Sequence, residues 1–553
     1  MLLRSAPGSY APSPVSRTRR GPLRTRPVAF LALALAACGG AGTPKASEPF
    51  VIGGLPVEGP GGPGTPPVVV PPPAFPRSPI WVEDAATLGR TAAFGSFPSD
   101  MVRLGSTLFT TDADAVEGEG ARILAFEAGG AEIVPSPRFA TTHVRASDLV
   151  DASSMGGDVD HPPGFGFYLN DLAVPADDLG FVLANAGGSD SVPTLSNLVV
   201  FDPTSGTLRQ LVNLATTVAG VGPILDSAGA PVPGDAFVQS GAEGVAYVPT
   251  GNGRGVLFVT MSNFVFGAPS FGATKYPGTV QVYDVDETAA LPVVPRPAGG
   301  LATTTLLTHA YNPVAVTPIV ASGGRVRVLV TEAGATGFDA SFALVPVTPA
   351  AIEVYDLDGL VLRGRFDLGL AGLSGVRPAL GHDAVGHLVA FFASSVLGEV
   401  YLLRLDGLTG VGVDPTQIAV LRGPGHGIPI DPAAAGSPGG NVTGLALSSD
   451  GRTVVVAGFG DYFAFPSPRP GRLYALSLPA DVVGDAGFSS GFVAGTSNVL
   501  TTSGRTLGPL VVAAIRPGGP EVFVAVAGSL DPATFLGNGP ASIGTLTTFG
   551  RIR

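Results

Sequence analysis

Residues 445–458 read LALSSDGRTVVVAG, and residues 471–478 read GRLYALSL. The first stretch contains two apolar runs joined by Ser-Asp-Gly, which is typical of a tight turn between two antiparallel strands. The second stretch has the pattern of a third strand. The same order recurs in PTGNGRGVLFVT at 249–260, followed by GTVQVYDVD at 278–286. The sequence therefore predicts a repeated unit of antiparallel strands.

A strand phrase of this kind occurs seven times, at intervals of 62 to 76 residues. An apolar run precedes each phrase, a second strand phrase follows it, and several units show a fourth strand. Four antiparallel strands in each repeated unit predict a blade of a β-propeller. The expected fold is all-β, a seven-bladed β-propeller of four-stranded antiparallel blades. The phrases begin at Ser106, Leu179, Gly255, Arg325, His387, Arg452 and Glu521.

The quoted phrases resemble the repeats of YVTN and NHL-type propellers, a group that includes lactonase-like proteins. The resemblance covers roughly residues 95–549. It implies the blade architecture and leaves the activity open, because such blades occur in enzymes and in binding proteins alike.

The connections between strands fall into two length classes. Those from the first to the second strand and from the third to the fourth are short. Those from the second to the third, such as 264–277, and those between blades, such as 215–241, are long. In a propeller both long classes emerge on one face, here called the elaborated face, and we expect function to lie there. The aromatic residues of loops 264–277 and 459–470 suit a contact surface if they are exposed. The other interpretation is that they pack back over the blades.

Ring closure requires a partner strand for the last blade. Residues 80–95 have strand character and precede the first blade. We expect them to supply the outermost strand of the last blade, next to residues 541–549. Such a clasp removes an open sheet edge that would otherwise pair with other chains.

The N-terminal region has the pattern of a bacterial lipoprotein signal peptide. Residues 1–37 contain six Arg and no acidic residue, and Val28–Ala37 is an uncharged apolar run. This run is too short to span a bilayer and suits a signal peptide. Leu-Ala-Ala-Cys at 35–38 resembles a lipobox, which implies that Cys38 is acylated, for example with palmitate. The other interpretation is an ordinary signal peptide followed by an unmodified cysteine.

This pattern predicts an exported protein that is held on a membrane only by its lipid anchor. Two or three acyl chains give stable anchoring where one does not. Gly39, rather than Asp, follows the cysteine, which favours the outer membrane or cell surface. The expected organisation is a signal peptide at 1–37, the lipidated cysteine and a Pro/Gly-rich disordered linker at 38–79, and the propeller at 80–553.

Composition excludes several classes of function. The chain has 553 residues, 31 basic and 43 acidic groups and a net charge of −12, which disfavours binding to nucleic acid. No run of eighteen apolar residues is present, which argues against a helical membrane protein. Cys38 is the single cysteine, so an intrachain disulfide is impossible. We expect the partner to be a protein or a glycan that binds to the elaborated face.

When the repeats are aligned, one set of mostly polar residues falls just before the predicted innermost strand of each repeat. In a ring, these residues surround one mouth of the central channel. Asn170, Glu243 and Asn312 lie on consecutive blades and offer oxygen atoms, which suit a hard cation such as calcium. The other interpretation is a polar lining of a water-filled channel. The full set is Ser99, Asn170, Glu243, Asn312, His382, Thr443 and Gly508.

GAEGVAYVP at 241–249 is similar to the opening of gluconolactonase-type propellers, and the similarity implies a metal-binding role for Glu243. Those proteins use a second acid, for which Asp171 and Asp383 are candidates here. Two functions follow. The first is a binding or scaffold protein with no catalytic residue. The alternative is a lactonase-like metal-dependent hydrolase, which a second carboxylate beside Glu243 would favour.

Overall fold

The structure is a computed structural model. It describes residues 81–82, 91–94, 100–116, 120–127, 134–155, 167–186, 195–215, 217–219, 224–225, 230–232, 236–262, 277–296, 305–338, 344–394, 396–430, 442–448, 450–458, 472–488, 493–494, 510–515, 521–526 and 544–552. Two strands come first in the chain, β1 (Trp81–Val82) and β2 (Thr91–Phe94). The other strands follow below, grouped into six large sheets, A to F.

Sheet A has nine strands in two halves. The first half contains β3 (Met101–Leu104), β4 (Thr107–Val116), β5 (Gly120–Glu127), β6 (Val134–Pro135) and β7 (Thr142–Val144). The second half contains β8 (Phe167–Ala176), β9 (Leu179–Ala186), β10 (Leu195–Asp202) and β11 (Thr207–Asn213). Two short hairpins precede sheet B and are formed by β12 (Thr217–Ala219) with β15 (Ala236–Val238) and by β13 (Ile224–Leu225) with β14 (Pro231–Val232).

Sheets B and C follow. Sheet B contains β16 (Ala242–Gly251), β17 (Arg254–Met261), β18 (Pro277–Asp286), β19 (Val293–Pro295) and β20 (Thr305–Tyr311). Sheet C contains β21 (Pro313–Val320), β22 (Val326–Glu332), β25 (Ala351–Asp356) and β26 (Val361–Asp367). A hairpin of β23 (Thr336–Phe338) and β24 (Leu344–Pro346) is inserted between β22 and β25.

Sheets D, E and F complete the ring. Sheet D contains β27 (Ala379–His382), β28 (Leu388–Ser394), β29 (Glu399–Arg404), β30 (Ala419–Arg422) and β31 (Ile428–Pro429). Sheet E contains β32 (Val442–Leu447), β33 (Thr453–Gly458), β34 (Arg472–Ser477) and β35 (Val493–Ala494). Sheet F contains β36 (Leu510–Ile515), β37 (Glu521–Val526) and β38 (Gly544–Ile552), to which β1 and β2 are added.

The fold is a β-propeller, as the repeats predict. Each large sheet is antiparallel. Innermost strands of neighbouring sheets contact one another, as β16 contacts both β8 and β21, and β36 contacts both β32 and β3. Apolar clusters fill the spaces between successive sheets from A to E. The apolar run of β17 is uninterrupted because both faces of the strand are buried. Leu257 packs towards sheet A, and Phe258 packs towards sheet C. A blade interior therefore needs apolar residues at every position.

The number of blades differs from the prediction of seven. Counted as separate large sheets in the described part of the chain, the blades number six. The reason is the length of β4, whose pairing with β5 shifts after Asp112. Beyond this shift, Asp114 pairs with Tyr168 of β8, and the first two repeats become one nine-stranded sheet. The repeat count from sequence could not show this pairing between neighbouring repeats.

The predicted clasp is confirmed. Strand β2 pairs with β38 from Thr91 against Thr547 to Phe94 against Gly544. Strand β1 pairs with the end of β38, Trp81 lying opposite Ile552. Both ends of the propeller therefore lie in sheet F.

Connection lengths agree with the predicted pattern in part. The extra hairpins lie between blades (β12 to β15) and between second and third strands (β23 and β24), so both belong to the elaborated face. Two third-to-fourth connections are longer than expected, residues 405–418 in sheet D and 478–492 in sheet E. The opposite face, here called the turn face, is therefore not made of tight turns alone. The aromatic loops 264–276 and 459–470 lie outside the described residues. Among the described residues, no helix is long and apolar enough to cross a membrane.

Candidate functional site at the centre of the ring

Two of the three predicted site residues meet near the centre. Asn170 lies on β8 and Glu243 on β16, and Asn170 Nδ2 donates to Glu243 Oε2 at 2.9 Å. The same amide nitrogen donates to Ala242 O at 3.1 Å, and the Ser262 hydroxyl donates to Glu243 Oε1 at 3.4 Å. Glu243 is buried, and this burial raises the pKa of its carboxyl to about 8. Near neutral pH the group is therefore mostly protonated.

Asn312 takes a different position. It precedes β21 with φ of +60°, and its Nδ2 donates to Gly334 O at 3.4 Å within the region of sheet C. The hydrogen bonds of Glu243 come instead from Asn170 and Ser262. The structure thus joins Asn170 to Glu243 and gives Asn312 a separate partner. Binding of calcium by these residues stays a prediction.

Among the described residues of the aligned polar set, His382 is misplaced. His382 is the last residue of β27, so it ends the innermost strand of sheet D instead of preceding it. The spacing in the sequence indicates this error, because Glu243 lies 12 positions before Gly255 whereas His382 lies only 5 positions before His387. Five residues cannot contain an innermost strand and its turn. Ser99 and Gly508 lie outside the described residues.

Arg377, two residues before β27, is the residue that the sequence reasoning missed. Its side chain is only 5% exposed, and its guanidinium forms an ion pair with Asp171 of sheet A. Nη2 also donates to Val245 O of sheet B at 2.9 Å and lies 4.0 Å from Asp100 Oδ2 in sheet A. A single side chain from sheet D therefore reaches across the ring to sheets A and B.

The carboxylates around Arg377 are held by backbone amides as well. Leu172 N donates to Asp100 Oδ2 at 2.7 Å and to Asp171 Oδ1 at 3.1 Å. Val245 N donates to Asp171 Oδ2. Burial raises the pKa of Asp100 well above its ordinary value, and the charge of Asp171 raises it further. The centre therefore consists mainly of the Arg377–Asp171 pair beside the buried carboxyl groups of Asp100 and Glu243, whose pKa values are raised.

This arrangement answers the question of a second acid near Glu243. Asp171 is close enough that its charge raises the pKa of Glu243. Its oxygens, however, accept from Arg377, Val245 and Leu172, and so serve to join sheets A, B and D. Asp383 follows β27 and lies at the opposite end of that strand from Arg377. The pair of carboxylates expected for a hydrolase is thus engaged in contacts between sheets.

No protein-family model matches the chain, and no curated protein sequence matches it. Among solved structures it is similar to the WD40 repeats of RRP9, with 11% identity and a TM-score of 0.39 over 83% of this chain and 97% of that chain. It is similar to the Dos1 propeller, with 8% identity and a TM-score of 0.42 over 84% of this chain and 96% of that one.

A third similar structure is a puromycin-hydrolyzing peptidase of Mycobacterium tuberculosis. It has 12% identity and a TM-score of 0.36, and the match covers 86% of this chain and 56% of the peptidase. The chain thus spans little more than half of that protein. Likenesses at this level carry no information about function, which has to be argued from the residues.

Proposed function

We propose that the protein is a lipid-anchored, exported β-propeller that binds a protein or glycan partner through its elaborated face. The observation that carries this proposal is a difference between the centre of the ring, where polar groups join the sheets, and the elaborated face, where hairpins are added. At the centre, Arg377 pairs with Asp171, Asp171 accepts from Val245 N, and Glu243 accepts from Asn170, so these groups are engaged in contacts between sheets. On the elaborated face, the hairpins of β12 to β15 and of β23 with β24 add surface that the blades do not need.

The anchor is the second part of the proposal. The pattern at 1–37 and the Leu-Ala-Ala-Cys sequence support cleavage before Cys38 and acylation of its thiol. The linker at 38–79 then places the propeller at some distance from the membrane. We place the mature protein at the outer membrane or cell surface.

The anchor is tested by replacing Cys38 with Ser. Labelling with an alkyne analogue of palmitate should mark the wild type and not the variant. The variant should also move from the membrane fraction to the soluble fraction. A variant that stays with the membrane after a salt wash would show that the anchor lies elsewhere.

The binding face is tested by a matched pair of loop replacements. In the first, residues 336–346, which form the hairpin of β23 and β24, are replaced by a short Gly-Ser turn. In the second, the turn-face connection 287–292 between β18 and β19 is replaced in the same way. Cross-linking on intact cells should give a product that the first variant loses and the second keeps. The proposal fails if both variants keep the product or if the turn-face variant alone loses it.

A further inference from the structure

A cluster of possible metal ligands lies at the turn face, where sheets D and E meet. Asp383 follows β27, His387 precedes β28, and Asp481 lies after β34 in the next sheet. One ligand atom from each of these three residues lies within 4.8 Å of the other two. This cluster is at the opposite end of β27 from Arg377 and takes no part in the site at the centre.

The imidazole of His387 is held in one orientation. Its Nδ1 lies 2.9 Å from Asp406 Oδ2, and Asp406 is itself held by Arg404 Nε and by Leu388 N, each at 2.6 Å. A carboxylate acceptor at Nδ1 places the hydrogen on that nitrogen and leaves a lone pair on Nε2. Nε2 lies 3.7 Å from Asp481 Oδ1, which is too long for a hydrogen bond.

The carboxylate of Asp383 is fixed across the boundary between the sheets. Its side chain is buried, Oδ1 accepts from His387 N at 2.8 Å, and Oδ2 accepts from Val482 N of sheet E at 3.0 Å. Gly451 of sheet E, with φ of +67°, packs so closely that a Cβ there would lie 2.1 Å from His382 O. The two sheets therefore hold the cluster at a set spacing.

The charges of the cluster favour a cation. Among the described residues, neither Asp383 nor Asp481 forms an ion pair with an Arg or Lys. The side chains of His387 and Asp481 are 33% and 48% exposed, so an ion can enter from solvent. An Nε2 lone pair and two carboxylates thus face one another with an open side.

We propose that Asp383, His387 and Asp481 bind a zinc ion. One imidazole nitrogen and two carboxylate oxygens are donors that zinc accepts, and three protein ligands leave a fourth position for water or an external donor. Asp406 is the outer carboxylate that orients the ligating histidine. The ion joins sheet D to sheet E and stabilises the folded state by mass action.

The competing explanation is an ion pair between protonated His387 and the surrounding carboxylates. Such a pair depends on pH and does not depend on zinc. The two explanations therefore differ in the effect of the metal and of its removal.

The test uses the full chain, stripped with a chelator and titrated with zinc in a calorimeter. Each variant carries Cys38→Ser, so that the single thiol does not bind the metal. We expect one zinc ion for each chain, and binding at least about tenfold weaker after His387→Ala or Asp481→Asn. Asp406→Asn should weaken binding by about 10- to 100-fold, because the histidine loses its orientation.

Two control variants distinguish the site from general metal binding. Asp485→Asn changes a carboxylate near Asp481, and His426→Ala changes an exposed histidine of sheet D, and neither residue belongs to the cluster. Both should bind zinc as the starting protein does. If His387→Ala does not fold by circular dichroism, Asp481→Asn decides, since that side chain is half exposed. Absence of zinc binding, or equal binding by all variants, would overturn the proposal.

Discussion

Arg377 and Arg327 are both buried arginines, but one connects sheets at the centre of the ring and the other connects sheets at the turn face. Arg377 crosses the centre and pairs with Asp171, three sheets away along the ring. Arg327 lies on β22 at the turn face, pairs with Asp356 of its own sheet at 3.3 Å, and donates to Gly410 O of the neighbouring sheet D at 2.9 Å. One arginine connects distant sheets, and the other connects neighbours.

The two carboxylates, Asp171 and Asp356, differ in the number of arginines with which each forms ion pairs. Among the described residues, Asp171 pairs with Arg377 alone. Asp356 pairs with Arg327, with Arg363 at 2.7 Å and with Arg325 at 3.5 Å. Removal of an arginine should therefore cost more at the centre than at the turn face.

The largest effect is expected for Arg377→Met. It leaves Asp171 buried without a counter-ion, which costs about 3 to 5 kcal/mol of unfolding free energy. Denaturant unfolding followed by circular dichroism measures this loss. Adding Asp171→Asn to Arg377→Met should recover part of it, because the uncompensated charge is gone. A loss below about 1 kcal/mol would show that the centre is not held by this pair.

A smaller effect is expected for Arg327→Met. Asp356 keeps Arg363 and Arg325, so the cost comes mainly from the carbonyl groups of 408–411 that lose their donor. About 1 to 3 kcal/mol is expected for such unsatisfied groups. The same unfolding measurement compares the two arginines directly. Equal losses of unfolding free energy for both variants would show that the centre does not depend on its arginine more than the turn face does.

The clasp is a third connection, at the outer edge of the ring. Deletion of the N-terminal residues up to residue 96 removes β1 and β2, which pair with β38. We expect the melting temperature to fall by several degrees, on the order of 1 kcal/mol or more. If Arg377 and the clasp both keep the ring closed, truncation in the Arg377→Met background should cost more than truncation alone. An unchanged melting temperature would show that the strand pairing contributes nothing.

The pH dependence of stability tests the protonated carboxyl groups. The pKa of Glu243 is raised to about 8 from an ordinary value of 4.5, so the folded chain holds a proton that the unfolded chain releases between these values. The free energy of unfolding should therefore fall as pH rises from about 5 to 8. Glu243→Gln should flatten this fall.

Glu332→Gln is a second test of the same effect, because burial also raises the pKa of Glu332 to about 8 at the edge between sheets B and C. Each variant should remove part of the slope, and the double variant should remove more. Part of the slope should remain in the double variant because burial raises the pKa of Asp100 as well. Denaturant unfolding at pH 5, 6, 7 and 8 measures the slope. A wild type equally stable over this range would contradict the prediction.

Local patterns predicted the strands well and the long-range contacts poorly. Ser-Asp-Gly at 449–451 and Asn-Gly at 252–253 indicate turns by short-range chemistry, and the structure has strands on both sides of each. The clasp followed from one unpaired strand at each end of the chain. The fusion at Asp114 and Tyr168 did not, because pairing between repeats leaves no periodic signal.

The centre of the ring shows the same limit. Glu243 and Asn170 were found because each repeat places its innermost strand in a similar way. Arg377 was missed because the alignment placed an innermost strand between His382 and His387, which are only five positions apart. A check of each spacing against the 12 positions from Glu243 to Gly255 would have moved the alignment back from His382 towards the segment that contains Arg377.

The smallest effect is expected for calcium at Glu243. A single carboxylate gives weak affinity, and at neutral pH the ion has to displace the proton that burial keeps on this group. We expect a rise in melting temperature of about 1 to 2 °C with calcium relative to chelator, larger at pH 8.5 than at pH 6.5. Glu243→Gln should abolish the rise without unfolding the protein, and Glu332→Gln should leave it intact. Equal melting of the wild type with calcium and with chelator at both pH values would show that Asn170 and Glu243 serve only to join sheets A and B. In that case the turn face between sheets D and E would be the place to look for a metal.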